Sequence, residues 1–428
     1  MLSALFSLSG CGITVRAADL MAGIKANTVS ADIDLTGDES EAIASFSVEL
    51  FQNTVSSESD KPGESDVSDK SDNSAESADK NPLISPLSVL CALAMTANGA
   101  KGETLAQMED VFGLPVQELN GYLHAYMDSL PSGDKYKVNL ANSIWFKDDG
   151  RLKVERDFLQ TNADYYGASI YKAAFDNATR KDINGWVSNR TNGMIKNILD
   201  KIPDDAVMYL VNALAFDAEW QNIYKKDKVK NGIFTMESGQ AKNVEMMYGL
   251  EHMYLDDGNA TGFIKYYADR KYAFVALLPN EGIPVGDYIA SLTGNGLLST
   301  LRDAQSVPVN TAIPKFKSRC SLEMKDMLIR MGMSDAFDAD LADFTGLGIY
   351  DNGNQNIIIN RVIHKTYIAV DEKGTKAGAA TVVAMMAGSA AIEPEIKTVS
   401  LDRPFIYLLI DCETNLPLFI GAVTDISE

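Results

Sequence analysis

The spacing of apolar residues predicts a helix near the N-terminal end of the chain. Within residues 39–55, Ile43, Phe46, Leu50 and Phe51 fall at helical spacings, which is the pattern of an amphipathic helix. The pattern then ends sharply, and the residues that follow are of a different kind.

The chain becomes almost entirely polar after this helix. Residues 56–80 consist mainly of Ser, Asp, Glu and Lys. Such a stretch cannot bury enough apolar surface to offset its loss of chain entropy, so we predict that it is disordered. One helix is too little for an independent domain. We therefore interpret residues 56–80 as an acidic, Ser-rich insertion within a single domain, residues 39–428, and not as a linker between domains.

The second half of the chain mixes helical and strand-like patterns. Residues 321–333 have helical spacing, whereas the apolar runs at 272–279 and 355–360 predict strands. Two further apolar runs, at 405–410 and 418–423, flank a polar turn and predict a buried hairpin. Strands and helices do not alternate regularly. This mixture favours an α+β fold with largely antiparallel sheets over a doubly wound fold.

A long run of small residues lies close to the C-terminal end. Residues 377–392 include no charged residue, aromatic ring or proline. In an extended chain the odd-numbered residues from Thr375 to Thr381 share one face, and all of them are small and uncharged. The charge of Lys376 falls on the other face. Such a segment is suited to entering the middle of an existing sheet. A flexible linker and a buried Ala-rich helix are the alternatives, although Gly and β-branched residues weaken helices.

Composition argues against several classes of function. The net charge of −21 disfavours nucleic-acid binding, which requires Lys and Arg to meet the phosphates. Only three histidines are present, His124, His252 and His364, and neither a GxSxG elbow nor an HExxH zinc motif occurs. A phosphate-binding GxxxxGK[ST] loop is also missing. The sequence therefore predicts that the protein is not an enzyme and uses no metal or cofactor.

The cysteines indicate neither a zinc site nor a disulfide framework. Cys11, Cys91, Cys320 and Cys412 are far apart in the sequence. The last three lie in apolar or mixed surroundings and are predicted to be buried free thiols. After the first residues, no stretch has the roughly eighteen uninterrupted apolar residues that a membrane-spanning helix requires.

Cys11 ends the stretch LFSLSGC, which resembles the lipobox of bacterial lipoproteins. In such proteins the leader is cleaved before the cysteine, which then receives lipid. Residues 1–38 are accordingly predicted to be a leader and tether, and the protein to be extracytoplasmic, either secreted or anchored at the bacterial cell surface. Residues 1–10 contain no Lys or Arg, whereas an export signal normally begins with positive charge, so the true start is expected further upstream. A chance hydrophobic terminus is the alternative.

Several segments resemble the serpins. The stretch HKTYIAVDEKGTKAGAATVV, residues 364–383, is similar to the serpin hinge, and the likeness continues to residue 423. Further matches occur in the family's order: NPLISPLSVLCALAMTANGAKGETLAQM (81–108), INGWVSNRTNGMIKNIL (183–199), VNALAFDAEW (211–220) and LIRMGMSDAFDADLADFTGL (328–347). The resemblance covers essentially everything from residue 39 onward. It implies a large central, mostly antiparallel sheet, two further sheets, about nine helices and an exposed reactive-centre loop, here residues 371–397 with the hinge.

The resemblance also implies a mechanism. In serpins a target serine protease cuts the exposed loop, and the hinge inserts into the main sheet as a new strand that carries the acylated protease to the far pole. The implied function is that of a serine protease inhibitor, expected as a monomer, whose partner becomes covalently bound. A non-inhibitory serpin that acts as a surface binding or carrier module is the alternative. The small-residue hinge argues against it, because non-inhibitory members often carry bulky, charged or proline residues there.

The resemblance assigns roles to particular residues. The implied hinge residues are Glu372, Lys373, Gly374, Thr375, Ala377, Gly378, Ala379 and Ala380. The implied polar residues whose hydrogen bonds control opening of the sheet are Ser85, Ser88, Asn212 and His364. Trp220 matches the family's tryptophan near the insertion point.

The bond that the protease cuts is predicted only to within a window. Counting forward from Glu372 places it between Gly388 and Ser389, and counting back from EPEIK places it between Ala390 and Ala391. Side-chain chemistry favours a bond on either side of Ala387. The window lacks Arg, Lys, Phe, Tyr and Leu, so we expect an elastase-like or subtilisin-like target. The candidate residues are Met386, Ala387, Gly388, Ser389 and Ala390.

Overall fold

The computed structural model describes residues 16–29, 33–59, 81–130, 133–203, 206–350, 356–375 and 395–426. Three groups of predictions lie outside these residues. They concern lipidation of Cys11, the insertion from residue 60 onward, and the hinge and reactive-bond residues between 376 and 394.

The described residues form nine α-helices, as the resemblance implies. They are α1 (Asp38–Ser59), α2 (Pro86–Ala97), α3 (Gly102–Phe112), α4 (Val116–Ser129), α5 (Arg156–Tyr166), α6 (Asn177–Arg190), α7 (Val285–Ser291), α8 (Gly294–Arg302) and α9 (Lys325–Arg330).

The first helix is longer than predicted. It continues to Ser59, so the first residues assigned to the insertion at 56–80 are helical instead. The buried side chains of Leu50 and Phe51 anchor the helix to the core. Beyond them Ser56 donates a side-chain hydrogen bond to the carbonyl of Gln52 (2.9 Å), which lets polar residues extend a helix that packing has already fixed.

Nineteen strands are present in the described part of the chain. They are β1 (Ala18–Asp19), β2 (Leu83–Ile84), β3 (Tyr136–Lys147), β4 (Leu152–Val154), β5 (Ser169–Ala173), β6 (Met208–Glu219), β7 (Val229–Thr235), β8 (Ala241–Glu251), β9 (Tyr254–Asp256), β10 (Ala260–Tyr266), β11 (Tyr272–Pro279), β12 (Val309–Pro314), β13 (Phe316–Glu323), β14 (Gly348–Tyr350), β15 (Arg361–Val370), β16 (Gly374–Thr375), β17 (Lys397–Ser400), β18 (Phe405–Asp411) and β19 (Pro417–Val423).

Seven strands form the main sheet, in the order β1-β5-β3-β6-β16-β15-β13. Most neighbours are antiparallel, but β5 is parallel to β3 and β15 is parallel to β6. Six strands form a second sheet (β2-β19-β18-β11-β10-β9) and four strands form a third (β17-β12-β8-β7). In addition, β14 and β4 form a two-stranded ribbon. The fold is therefore α+β, with a large main sheet and two further sheets, as predicted.

The main sheet is covered on both faces. On one face α2 packs against β3 and β6, above a core that includes the aromatic and aliphatic side chains of β11, β18 and β19. On the other face α6 contributes Ile183, Trp186 and Val187 to a separate apolar cluster with Trp145 of β3 and Val211 of β6. The central strands are therefore buried on both sides, which explains their nearly continuous apolar sequence.

Two of the strand predictions are confirmed. The run at 272–279 is β11, and the runs near the C-terminal end form the antiparallel hairpin of β18 and β19. Among the described residues Cys91, Cys320 and Cys412 form no disulfide, with Cys91 and Cys320 buried, as predicted, and Cys412 half-buried. None of the helices in the described residues combines the length and apolar content that crossing a bilayer requires.

One strand prediction is wrong, and one helix is shorter than predicted. Described residues 356–360 form no strand, because their hydrogen bonds go to irregular partners: Ile359 N–H donates to Ala336 O (2.9 Å) and Asn360 Oδ1 accepts from Val207 N–H (2.9 Å). The predicted helix at 321–333 shrinks to α9, because its first residues pair with β15 as the end of β13.

The domain begins earlier than predicted. Residues 16–29, assigned to a tether, lie against the domain, where β1 pairs with β5 at the edge of the main sheet. Leu20 N–H donates to Ile170 O (2.9 Å), and the amide of Asn27 donates to the carboxylate of Asp164 (3.0 Å). The boundary at residue 39 is therefore too late. A two-residue strand leaves no periodic pattern that the sequence could reveal.

Candidate functional site between two parallel strands

The main sheet is partly open between β6 and β15. The two strands pair directly where residues 361–366 lie beside residues 209–214. Beyond these pairs β16 lies between them, with Thr375 paired to Val370 of β15 and to Ala218 of β6. Because β6 and β15 are parallel, a segment that turns back from the end of β15 runs antiparallel to both.

A tight turn joins β15 to β16. A carboxylate oxygen of Asp371 accepts hydrogen bonds from the backbone N–H groups of Lys373 (2.8 Å) and Gly374 (3.2 Å). Asp371 N–H donates in turn to Gly374 O (2.9 Å). A Cβ atom on Gly374 would lie 2.0 Å from Ala218 O, so no larger residue fits where the chain enters the gap.

Three residues outside the hinge hold this turn in place. Trp220 donates from its backbone N–H to Lys373 O (2.9 Å) and from its indole N–H to Asp371 O (2.8 Å). Tyr224 N–H donates to Glu372 O (2.9 Å). Every carbonyl of residues 371–373 is thus hydrogen-bonded to the segment that follows β6. Together with Tyr267, whose contact with the hinge is described next, Trp220 and Tyr224 form what we call the hinge clamp.

Tyr267 holds Thr375, the last described residue of the hinge. The two hydroxyl oxygens lie 2.5 Å apart, and Thr375 is fully buried. The ring of Tyr267 stacks on the indole of Trp220, with centroids 4.3 Å apart. The side chain of Thr375 therefore faces the core, which fixes the face on which every second residue downstream would fall.

An ion pair ties the hinge to the neighbouring sheet. Lys315 Nζ lies 2.8 Å from a carboxylate oxygen of Glu372 and 3.2 Å from one of Glu245 on β8. The hydrogen bond from Lys315 lowers the pKa of Glu372, so its carboxylate remains ionised in mildly acidic solution. Both side chains of the pair are partly exposed, so it orients the turn more than it stabilises the fold.

A buried polar cluster lies where β6 and β15 pair directly. His364 and Asn212 are direct neighbours on β15 and β6, with His364 Nδ1 2.5 Å from Asn212 Oδ1. Ser85 N–H, at the start of α2, donates to His364 Nε2 (2.9 Å). Because Nε2 accepts this bond, the neutral ring carries its proton on Nδ1 and donates to Asn212. One hydrogen bond therefore bridges the two strands directly.

Ser88 extends this cluster to a third strand. Its hydroxyl lies 3.4 Å from the side-chain amide of Asn142 on β3, and Asn142 is paired with Asn212 in the sheet. The predicted residues Ser85, Ser88, Asn212 and His364 are thus brought together as one polar cluster, all fully buried beneath the strands. Their role in opening the sheet stays a prediction.

Trp220, the predicted tryptophan near the insertion point, does not belong to the polar cluster. It lies eight residues beyond Asn212, roughly 26 Å along the strand, and takes part in the hinge clamp instead. The sequence also did not identify Tyr224, Tyr267 or Lys315 as hinge contacts. Each is separated from the hinge by many residues, and none lies in one of the serpin-like motifs of the sequence. Within the described residues, no three His, Cys, Asp or Glu side chains are arranged to hold a metal ion.

The burial of His364 makes the stability of the folded protein depend on pH. Burial lowers the pKa of His364 to about 3, so the ring is neutral in the folded protein near neutral pH. In the unfolded chain the pKa of histidine is about 6.5. Below that pH the unfolded state takes up a proton that the folded state does not, which destabilises the folded state.

We predict that the wild type loses about 1.4 kcal/mol of unfolding free energy per pH unit, relative to His364→Gln, between about pH 6 and about pH 4. Urea unfolding of both proteins at several pH values measures this difference. A difference that stays constant over that range would contradict a buried, neutral His364.

Comparison with known proteins agrees with this geometry. The family model described as "Serpin (serine protease inhibitor)" matches residues 70–426. The leukocyte elastase inhibitor of Equus caballus is 28% identical over 360 residues, which cover 80% of this chain and 92% of that protein.

Solved structures give the same result. The native state of tengpin, a thermophilic serpin, is 47% identical, with a TM-score of 0.85 over 96% of this chain and 100% of that chain. The latent state of tengpin is 44% identical, with a TM-score of 0.76 over 93% of this chain and 100% of that one. Because the family model spans most of the sequence, the chain belongs to the serpins, the serine protease inhibitor family.

Proposed function

We propose that this serpin is a suicide-substrate inhibitor that traps a serine protease as a covalent acyl-enzyme. The observation that carries the proposal is the position of β16. Gly374 and Thr375 already lie between β6 and β15, antiparallel to both, at the point where those strands separate. The residues after Thr375 need only continue in the same direction to form a complete central strand.

The register of β16 supports this path. Thr375 is paired with Val370 and Ala218. Six residues further along an inserted strand, the same register would place Thr381 between His364 and Asn212, because these are six residues before Val370 and Ala218. The inserted strand would thus separate the two side chains that now bridge the strands.

The small residues suit the face that the register gives them. Thr375 faces the core, so Ala377, Ala379 and Thr381 would also do so, and none is bulky or charged. Near the position that Thr381 would take, the amide nitrogen of Asn212 and the hydroxyl of Ser85 are buried without a hydrogen-bond partner among the described residues. A threonine hydroxyl could partner one of them, which would favour insertion.

The proposed reaction uses the chemistry of the target enzyme. The protease's serine hydroxyl attacks the scissile carbonyl, an ester forms, and the amide bond breaks to release a new amino terminus. Freed from its downstream tether, the hinge inserts and carries the protease along. Distortion of the protease's active site then keeps water from hydrolysing the ester.

The proposed targets are elastase-like or subtilisin-like proteases. The reactive-bond window, Met386 to Ala390, offers small residues and Met but no basic or large aromatic side chain. The relative described as a leukocyte elastase inhibitor supports this class. We also propose that the protein acts as a monomer outside the cytoplasm, and the lipobox-like stretch ending at Cys11 supports attachment to a bacterial surface through lipid.

A denaturing gel tests the proposal directly. Mixed with an elastase-like protease, the protein is expected to form a covalent, denaturant-stable complex and to release a peptide that mass spectrometry assigns to a cut between residues 385 and 391. A protease whose active-site serine has been blocked is the control and should give no complex. Clean cleavage in that window by a panel of elastase-like and subtilisin-like proteases, with each enzyme still active, would instead favour the non-inhibitory alternative.

Exchanging two adjacent residues tests the register. In the double variant Lys376→Ala/Ala377→Lys, composition and net charge are unchanged, but the ammonium group moves to the core face. Because burying an unpaired charge is very unfavourable, we expect at least about ten times more inhibitor to be consumed per protease trapped, with an unchanged cleavage rate. Lys376→Ala alone is the matched control and should behave as the wild type. Equal behaviour of the two variants would show that the register is wrong.

A further inference from the structure

A buried ion pair lies next to the hinge clamp. Lys265 on β10 and Glu251 at the end of β8 are 2% and 7% exposed. Lys265 Nζ donates to Glu251 Oε1 at 2.7 Å, so the two charges meet inside the protein. Neither residue belongs to the hinge or to the polar cluster, and the proposed inhibitory mechanism does not use them.

The ammonium group of Lys265 contacts two residues of the hinge clamp. It lies 4.4 Å from the ring centre of Tyr224 and 5.1 Å from that of Trp220, both within range of a cation–π contact. It also donates to Asn222 O (3.3 Å), in the short segment between these two aromatic residues. One cation therefore contacts the beginning, middle and end of residues 220–224.

This segment is the part of the protein that grips the hinge turn. The N–H groups of Trp220 and Tyr224 donate to Lys373 O and Glu372 O, while the indole N–H of Trp220 donates to Asp371 O. Residues 220–224 follow β6 and form no helix or longer strand of their own. Besides their bonds to the hinge turn and the bond from Gln221 N–H to Tyr266 O (3.0 Å), these residues are held by side-chain contacts, and Lys265 supplies contacts along the whole segment.

A buried ion pair is not a strong source of fold stability. An apolar pair of similar size often stabilises a protein as well or better, because removing two charges from water is costly. Its hydrogen bonds do, however, fix the direction of the groups around it. We propose that the pair of Lys265 and Glu251 positions the hinge clamp, so that the hinge turn stays docked at the mouth of the gap and directs the cleaved loop into it.

The link from this clamp to inhibition rests on the proposed function, but the positioning itself does not. Without the ammonium group, residues 220–224 would lose their hold on the turn, and the hinge would leave the gap more often. Insertion would then begin later after cleavage, and more acyl-enzyme would be hydrolysed before the protease is distorted. Cleavage of the loop by the protease would be unaffected.

Hydrogen exchange measured by mass spectrometry tests the positioning directly. In Lys265→Met, the backbone amides of Trp220 and Tyr224 should exchange about ten-fold faster than in the wild type, because they are the donors to the hinge turn. Lys242→Met is the matched control: Lys242 also lies on an ordered strand, β8, and pairs with a carboxylate, Asp425, but does not contact the hinge. It should leave these amides unchanged.

A double variant separates positioning from stability. Lys265→Met/Glu251→Leu leaves no unpaired buried charge and should recover thermal stability, yet the donor to Asn222 O stays lost. We expect the amides of residues 220–224 to remain fast in it. Recovery of slow exchange together with stability would overturn the proposal, because a merely structural pair would behave in that way. If Lys265→Met alone does not fold, the double variant carries the test by comparison with the wild type and Lys242→Met.

Inhibition gives the second readout. For Lys265→Met, several times more inhibitor molecules should be cleaved per protease trapped than for Lys242→Met, at an equal rate of loop cleavage. Fast exchange with unchanged consumption would refute the link between the clamp and trapping. If the wild type traps no protease, the proposed function fails, while unchanged exchange in Lys265→Met would refute the positioning role independently.

Discussion

β6 and β15 run in the same direction, and they pair side by side over only part of their length. These two facts together constrain the rest of the molecule. A parallel pair can accept a third strand between its members only if that strand is antiparallel to both, and the chain that leaves β15 and turns back has this direction without any crossover. The hinge turn, the close approach at Gly374 and the buried Thr375 are all consequences of where that return begins.

Where β6 and β15 pair directly, polar side-chain contacts hold them together in addition to the hydrogen bonds of the sheet. The bond between His364 and Asn212 links the two strands, and Ser85 attaches His364 to the start of α2. A single buried hydrogen bond contributes only about 1 kcal/mol net, because water competes for its partners in the unfolded chain. An inserted strand would add ladder bonds on both of its edges. On the proposed mechanism, the arrangement before cleavage therefore persists through a kinetic barrier and not through being the lowest state.

Much of this fold is visible in the sequence, but its site is visible only in part. The apolar runs that became β11, β18 and β19 are long and bounded by turns, so they could be recognised from local pattern. Residues 356–360 carry a similar apolar run, yet Asn360 and Ile359 bond to loops, and periodicity does not distinguish a buried loop from a strand. The role of the small residues in the hinge could be predicted, because a segment that enters a sheet must not carry bulky or charged side chains on its core face. The contacts that hold the hinge could not be predicted in this way, because Tyr267 and Lys315 reach the hinge, and Lys265 reaches residues 220–224, only through tertiary packing.

The most direct test of this account is the stability of the protein before and after a single cut between residues 385 and 391. Thermal unfolding is followed by circular dichroism on the intact and the cleaved protein, with both fragments still associated. Insertion adds about ten ladder hydrogen bonds of about 1 kcal/mol each, so the unfolding midpoint of a domain of this size should rise by about 10 °C. An unchanged or lowered midpoint would show that the cleaved hinge does not enter the gap between β6 and β15, and would contradict the inhibitory mechanism.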